Sequence, residues 1–216
     1  MDSGLIEKQK PFDDLCRHIR DVGIVAFDTE FVTEDTFQPE LCLLQLATTE
    51  RCVAVDPFRV KQLDAWWDLM ADDETTLVVH GGQAEVKFRL AETGRLPRKL
   101  VDLQIAEGLR STSYPLGYET LVQRVLGKQL QGKETRTDWR RRPLSARQIG
   151  YAREDAAYIL PIWERQQEVL RKLDRLGWCE VECRRMVDDA GEEFSRKGWQ
   201  RISGIHKLRP RELAVA

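Results

Sequence analysis

The chain has 216 residues, 42% of them hydrophobic and 32% charged, with a formal net charge of −2. That length can bury one substantial core plus an appendage. No run approaches the roughly 20 apolar residues of a membrane span, and the N-terminal MDSGLIEKQK lacks a secretory pattern, so a cytoplasmic protein with no membrane partner is expected. Five cysteines, an odd count without a C-x-x-C spacing, argue against a disulfide framework and a zinc ribbon.

In chain order, periodicity predicts a helix over Phe12 to Arg20, then strands near 24–31, 41–48 and 51–56, the last two joined by Thr48-Thr49-Glu50 as a hairpin. A helix over Lys61 to Met70, a strand over Thr76 to His80 and a helix over Ala84 to Thr93 follow. Leu100 and Val101 read as a short strand entering a helix near 103–110, and helices near 117–126 and 145–173 complete the core. Hairpin-like strands followed by strands alternating with helices predict an α/β fold, a mixed sheet flanked by helices. Cys16, Cys42 and Cys52 read as small core residues, and Cys179 with Cys183 lacks the partners of a metal site. Trp66, Trp67 and Trp163 read as packing residues, whereas Trp139 either stacks on a base or anchors its loop. After Trp178 the chain becomes a charged, weakly apolar helix over Glu180 to Phe194.

Five residues carry the chemistry. Asp28 and Glu30 in IVAFDTEF stand at i, i+2, so a strand projects both carboxylates from one face. Tyr151 and Asp155 in GYAREDAAYILPI stand at i, i+4, on one side of a helix. Glu85 follows a strand and the Gly81-Gly82 turn, where a new helix begins near the strand end. Converging carboxylates repel unless cations neutralise them or they share protons; metal is the simpler answer, and oxygen ligands without a suitable His or Cys nearby favour Mg or Mn over Zn. Two such ions roughly 4 Å apart can clamp a phosphodiester. The basic residues Arg124, Lys128, Lys133, Arg136, Arg140, Arg141, Arg142, Arg147 and Arg153 cluster before and around the last pair; the run reads either as solvated surface or, beside an acidic metal centre, as the approach path a polyanion requires, and the second reading is put ahead for the stretch as a whole.

In these motifs the chain resembles ribonuclease D, of the DEDD superfamily of 3′-to-5′ exonucleases, in the subgroup with tyrosine in its third motif. Asp28-Thr29-Glu30-Phe31 matches the first motif and HGGQAEVKFRLAETGRLP, His80 to Pro97, the second. Asp102 in KLVDLQIA matches the segment that follows. Arg136-Thr-Asp-Trp139, Arg142-Pro-Leu144 and Tyr151-Ala-Arg-Glu-Asp155 match the third motif and its lead-in. The resemblance implies an RNase H-like fold over residues 1–178, with 179–216 a linker and the truncated start of a helicase-and-ribonuclease-D C-terminal (HRDC-like) domain. It implies an exoribonuclease releasing 5′-mononucleotides from single-stranded RNA 3′ ends, in tRNA or other structured RNA processing, with two divalent ions, Mg or Mn. Asp28, Glu30, Glu85 and Asp155 would hold the ions, and Tyr151 would orient the attacking water. Phe31, His80, Arg136, Arg140, Arg141 and Arg142 are expected along the nucleic acid. Glu85 stands where the family has aspartate, one methylene shorter, so a catalytically impaired nucleic-acid-binding module is one alternative and an exonuclease on single-stranded DNA another.

Overall fold

The computed structural model describes residues 4–32, 39–130 and 137–195, with Lys207 and Arg209. The strands are β1 (Leu5–Ile6), β2 (Ile24–Val32), β3 (Glu40–Ala47), β4 (Cys52–Val55), β5 (Thr76–Val79) and β6 (Leu100–Asp102). The helices are α1 (Gln9–Val22), α2 (Asp64–Met70), α3 (Gln83–Thr93), α4 (Leu103–Arg110), α5 (Tyr118–Leu126), α6 (Ala146–Ala157), α7 (Ile159–Lys172) and α8 (Leu176–Ser195). The strands form one sheet in the order β1-β4-β3-β2-β5-β6. β3 runs antiparallel to both β2 and β4, whereas β5 and β6 continue parallel to β2, the mixed topology expected from the sequence. Two-residue β1, paired parallel with β4, is too short to leave a periodic signal.

Alternation along the strands feeds two cores. Val25, Phe27, Leu44, Leu46, Leu77 and Val79 face Phe12, Leu15 and Ile19 of α1, Trp66 and Met70 of α2, and Val86 of α3. Ala26, Ala47 and Val78 face Leu103, Leu121, Val122, Ile159, Ile162 and Trp163. A third cluster sets Cys42, Leu43 and Ala54 against Trp139, Leu144 and α6 residues Ile149 and Ala152. Each fully buried large apolar side chain contributes about 1.5–3 kcal/mol, so the three clusters hold β2 rigidly at the centre of the sheet. Among the described residues no helix is long and apolar enough to cross a membrane.

Two expectations about helices are corrected. The single helix expected over 145–173 breaks at Tyr158, which ends α6 and starts α7. A continuous helix would require an N–H from Pro161 and would drive its ring into the Ala157 carbonyl; the break puts Pro161 in the first turn of α7, where no N–H is needed. The boundary expected after Trp178 falls inside α8. This helix lays Cys179 and Cys183 on one core and Val187 and Ala190 on the other, contacting α3, α4 and β6. In the segment expected as a linker and the start of an appended domain, residues 196–206, 208 and 210–216 lie outside the described residues.

Candidate active site

Asp28 and Glu30 share the face of β2 that carries Ala26, and the register slips between Glu30 and Phe31, where a bulge ends the regular pairing with β3. α6 crosses this face, contacting β2, β3 and β4. Its start is fixed by a capping box in which Ser145 Oγ accepts from Gln148 N (3.2 Å) and Gln148 Oε1 from Ser145 N (2.8 Å). Tyr151 stacks on Trp139 with ring centroids 6.4 Å apart and planes at 29°. Trp139 is buried among Cys42, Leu43 and Leu144, so of its two readings the structure selects the anchor, and the indole backs Tyr151.

Glu85 is delivered by a separate device. Asp102 accepts backbone N–H bonds from Gly81 (3.0 Å), Gly82 (2.9 Å) and Gln104 (2.8 Å), capping α4 and holding the turn that opens α3. The turn needs both glycines: Gly81 has φ 73°, and a Cβ on Gly82 would stand 2.4 Å from Val79 Cγ2. Sequence reasoning placed Asp102 in the motif series but missed this role, although an aspartate directly before an apolar helix is an N-cap signal. Glu85 itself is buried, and its Oε1 accepts from Thr29 Oγ1 at 2.7 Å. Thr29 lies between Asp28 and Glu30 and points to the opposite side of β2, so Glu85 approaches the strand from the other face.

None of Asp28, Glu30, Glu85 and Asp155 has a Lys, Arg or His ion-pair partner among the described residues. Burial, reinforced by Asp28 and Asp155, pushes Glu30 up to about 9. Burial and then Asp28 push Glu85 up to about 8 and Asp155 up to about 7, while the Tyr151 hydroxyl draws Asp155 back down. Burial also raises Asp28, against the pull of the Thr29 N–H (2.9 Å) and of His80. Tyr151 is raised by burial and by Asp155, so its phenol stays protonated as a donor. These are hard oxygen donors with mutual repulsion and, among the described residues, no Lys or Arg beside them, a chemistry that fits Mg or Mn. Among the described residues no three His, Cys, Asp or Glu groups are placed to hold a metal ion as they stand, so binding ions would require these side chains to close inward.

The residues expected along the nucleic acid divide. Phe31, next to Glu30 on β2, is 37% exposed and lies edge-on to Phe88 at 5.3 Å, with part of its ring open to solvent. His80 holds the Leu116 carbonyl through Nε2 at 2.9 Å and tilts against Tyr118 at 5.3 Å. Arg140 and Arg141 flank Asp138 at 3.2 and 3.5 Å on the surface, with the Arg141 side chain 85% exposed. Arg142 is corrected: all five of its N–H donors are engaged inside the protein. Nε and Nη2 grip Asp56 (2.6 and 3.0 Å), Nη2 also holds Cys42 O (2.7 Å), and Nη1 holds Trp139 O (2.6 Å) and Arg141 O (2.9 Å). A phosphate finds no free donor there. Arg136 lies outside the described residues. Tyr118 went unnoticed in the sequence: its hydroxyl is buried, and burial, Asp155 and Asp28 raise its pKa against the pull of the Tyr158 backbone.

The 3′-5′ exonuclease family profile matches residues 5–171, a span holding all five site residues. Ribonuclease D of Sphingobium indicum is 37% identical over 202 residues, covering 92% of this chain and 52% of that protein. Ribonuclease D of Cronobacter turicensis is 33% identical over 201 residues, covering 93% and 54%. The crystal structure of Escherichia coli RNase D superposes with a TM-score of 0.87 at 30% identity, covering 97% of this chain and 56% of that one. The chain thus spans about half the length of the relatives it matches. With the family profile running from β1 through α7 over a site of the expected composition, the chain belongs to the 3′-5′ exonuclease family, with ribonuclease D among its relatives.

Proposed function

We propose that this chain is a cytoplasmic exoribonuclease that removes nucleotides one at a time from single-stranded RNA 3′ ends, releasing 5′-mononucleotides with the help of two divalent ions, Mg or Mn. The observation that carries the reading is the set of four carboxylates without basic partners, their pKa values pushed upward, gathered around β2 with Tyr151 beside Asp155. Asp28, Glu30 and Asp155 would hold one ion, and Asp28 with Glu85 the second. The ions would supply an activated water and stabilise the leaving oxygen. Tyr151, held protonated by its acidic surroundings and braced by Trp139, orients that water by hydrogen bonding. Phe31 meets the terminal nucleotide with its open ring edge, and Arg140 and Arg141 attract the phosphates behind it. RNA is favoured over DNA because the relatives are ribonucleases D, and the E. coli protein is described as an exoribonuclease involved in structured RNA processing.

The test incubates 3′-labelled RNA and DNA oligonucleotides with Mg or Mn ions and resolves the products. Mononucleotide release from RNA, abolished by a chelator, is the expected result. Equal release from DNA moves the substrate class, and release from neither, with either ion, overturns the proposal.

A further inference from the structure

Gln45 on β3 is fully buried, and neither its Nε2 nor its Oε1 has a hydrogen-bond partner among the described residues. A buried carboxamide without partners forfeits its bonds to water, and an apolar side chain of the same size would fill the space without that loss. Its presence calls for a partner that this arrangement of the site does not supply.

The register names the partner. Gln45 stands directly across from Asp28 on β2 and from Ala54 on β4. Alternation puts its side chain on the face shared by Asp28 and Glu30, between Leu43 and Ala47 of its own strand. Leu43 clusters with Ala152 and Ala47 with Ala156, so Gln45 lies beneath the turn of α6 that carries Asp155. Ala54, Leu43, Ala47, Ala152 and Ala156 offer no polar group, and the Cys52 thiol already donates to the Arg153 carbonyl. Directly opposed side chains of an antiparallel pair start only about 4.5–5.5 Å apart at Cβ, within reach of a glutamine. Asp28 opposite, and Glu30 on the diagonal, are the acceptors at hand. A neutral amide suits this position: Arg or Lys would neutralise the carboxylate and compete with cations for it.

We infer that Gln45 is a positioning residue for Asp28, its Nε2 amide donating to the Asp28 carboxylate as the site closes on divalent ions and thereby fixing which oxygen faces them. The inference rests on the metal-dependent reading above and adds a residue to it that touches neither ion nor RNA.

The experiment compares wild type with Gln45→Met, which keeps the length and removes both polar atoms, and Gln45→Asn, which keeps the amide but withdraws it by one methylene. Each protein is measured three ways: melting temperature without divalent ions, Mn affinity by calorimetry, and kcat and KM on 3′-labelled RNA. Gln45→Met is expected to melt no lower than wild type, to bind Mn about tenfold more weakly, and to lose kcat about 10- to 100-fold at unchanged KM, the usual range when a group orienting a ligand is removed. A lowered melting temperature with wild-type Mn affinity makes Gln45 a structural residue and overturns the inference. Should Gln45→Met fail to fold, weakened Mn binding by folded Gln45→Asn supports the role, wild-type binding overturns it, and failure of both to fold also overturns it. A wild-type protein that neither binds Mn nor releases nucleotides removes the catalytic reading and this one together, whereas an active wild type with indifferent variants removes Gln45 alone.

Discussion

Glu107 on α4 and Glu30 on β2 are the same side chain under opposite conditions. Glu107 is fully buried, yet Arg110 donates to it twice (2.9 and 2.8 Å), Ser111 once (3.0 Å) and Gln166 once (3.0 Å). Burial works against its charge, but those bonds outweigh it and hold its pKa below the usual carboxylate range. Asp56, equally buried, is gripped by Arg142, and Asp102 by three backbone N–H groups. Among the described residues Glu30, Asp28 and Asp155 have no Arg or Lys partner: Asp28 accepts one backbone N–H, from Thr29, and Asp155 is bonded by the Tyr151 hydroxyl, so burial wins and all three are pushed upward, Glu30 and Asp155 further by their neighbouring carboxylates. With 34 Lys and Arg in the chain, cations are not scarce. The acids that hold the fold together are saturated from within, whereas those left without a basic partner are near enough to raise one another's pKa values, as the proposed cation site requires.

The sharpest way to break this comparison is to remove one charge from each set. Asp28→Asn takes away the central carboxylate and is expected to lower turnover by about 10³-fold or more, because the ion it would hold supplies both nucleophile and charge stabilisation. Its stability should move the other way. Each site carboxylate has a folded pKa above its unfolded value, so the folded chain binds more protons than the unfolded one between the two values. The favourable contribution is full below about pH 4 and is lost as pH rises through the folded values of about 7 for Asp155, 8 for Glu85 and 9 for Glu30. Without divalent ions the wild-type melting temperature should therefore fall across that window, and the fall should be shallower in Asp28→Asn. Added Mn should restore it in wild type; a melting temperature that climbs with pH through the window would sink the assignment of raised pKa values.

Arg142→Ala strikes the saturated set and should cost about 3–5 kcal/mol of stability, the range for stranding a buried charge, measured by urea denaturation. Asp56 loses both side-chain bonds, and the Cys42 and Trp139 carbonyls lose theirs. A loss below 1 kcal/mol would show that Arg142 is not the clamp described.

These two outcomes also mark what was legible in the sequence. Asp28 and Glu30, two residues apart on a strand, and Tyr151 and Asp155, four apart on a helix, declare their shared faces through local periodicity alone. Arg142 does not, because Asp56 lies 86 residues away and only the folded chain brings them together. Three consecutive arginines read as one basic surface, whereas the turn at Trp139 sends one inward and leaves two outside. Gln45 is hidden for the same reason: in ELCLLQLA it is a polar residue in an apolar strand, and its significance appears only once pairing puts it across from Asp28. The break at Tyr158 was announced by Pro161, four residues beyond the carbonyl its ring would strike.

Tyr151→Phe keeps the ring on Trp139 and removes the hydroxyl, so kcat should fall by roughly 10- to 100-fold at nearly constant KM, the split expected when an interaction acts in the reaction rather than in binding. Unchanged kcat with raised KM would make Tyr151 a substrate contact. A smaller effect is expected from Arg140→Glu with Arg141→Glu, which touches only exposed groups. Folding should be untouched, and the slope of log affinity against log salt should flatten by about 1 to 2, as two lost phosphate contacts on a single strand would give. An unaltered slope returns both arginines to plain solvated surface.

Glu85 gives the finest distinction, because it stands between the two sets: buried without a cation, yet with one oxygen held by Thr29. Glu85→Gln keeps the acceptor for Thr29 Oγ1 and removes the charge that would attract the second ion. Turnover should fall several-fold and recover in part at high Mn, since a weakened ion site refills by mass action. Glu85→Asp restores the residue usual in the family and keeps the charge, but withdraws it from Thr29 by a methylene; activity should match or exceed wild type. Thr29→Val removes the hydroxyl and frees Glu85 Oε1 without altering its charge, so its rate-against-Mn curve should follow wild type more closely than Glu85→Gln does. Rate measured against Mn concentration for the four proteins decides between charge and position. Coincident curves would mean that Glu85 is a structural acid held by Thr29, and that the second ion, if bound, is held by other groups.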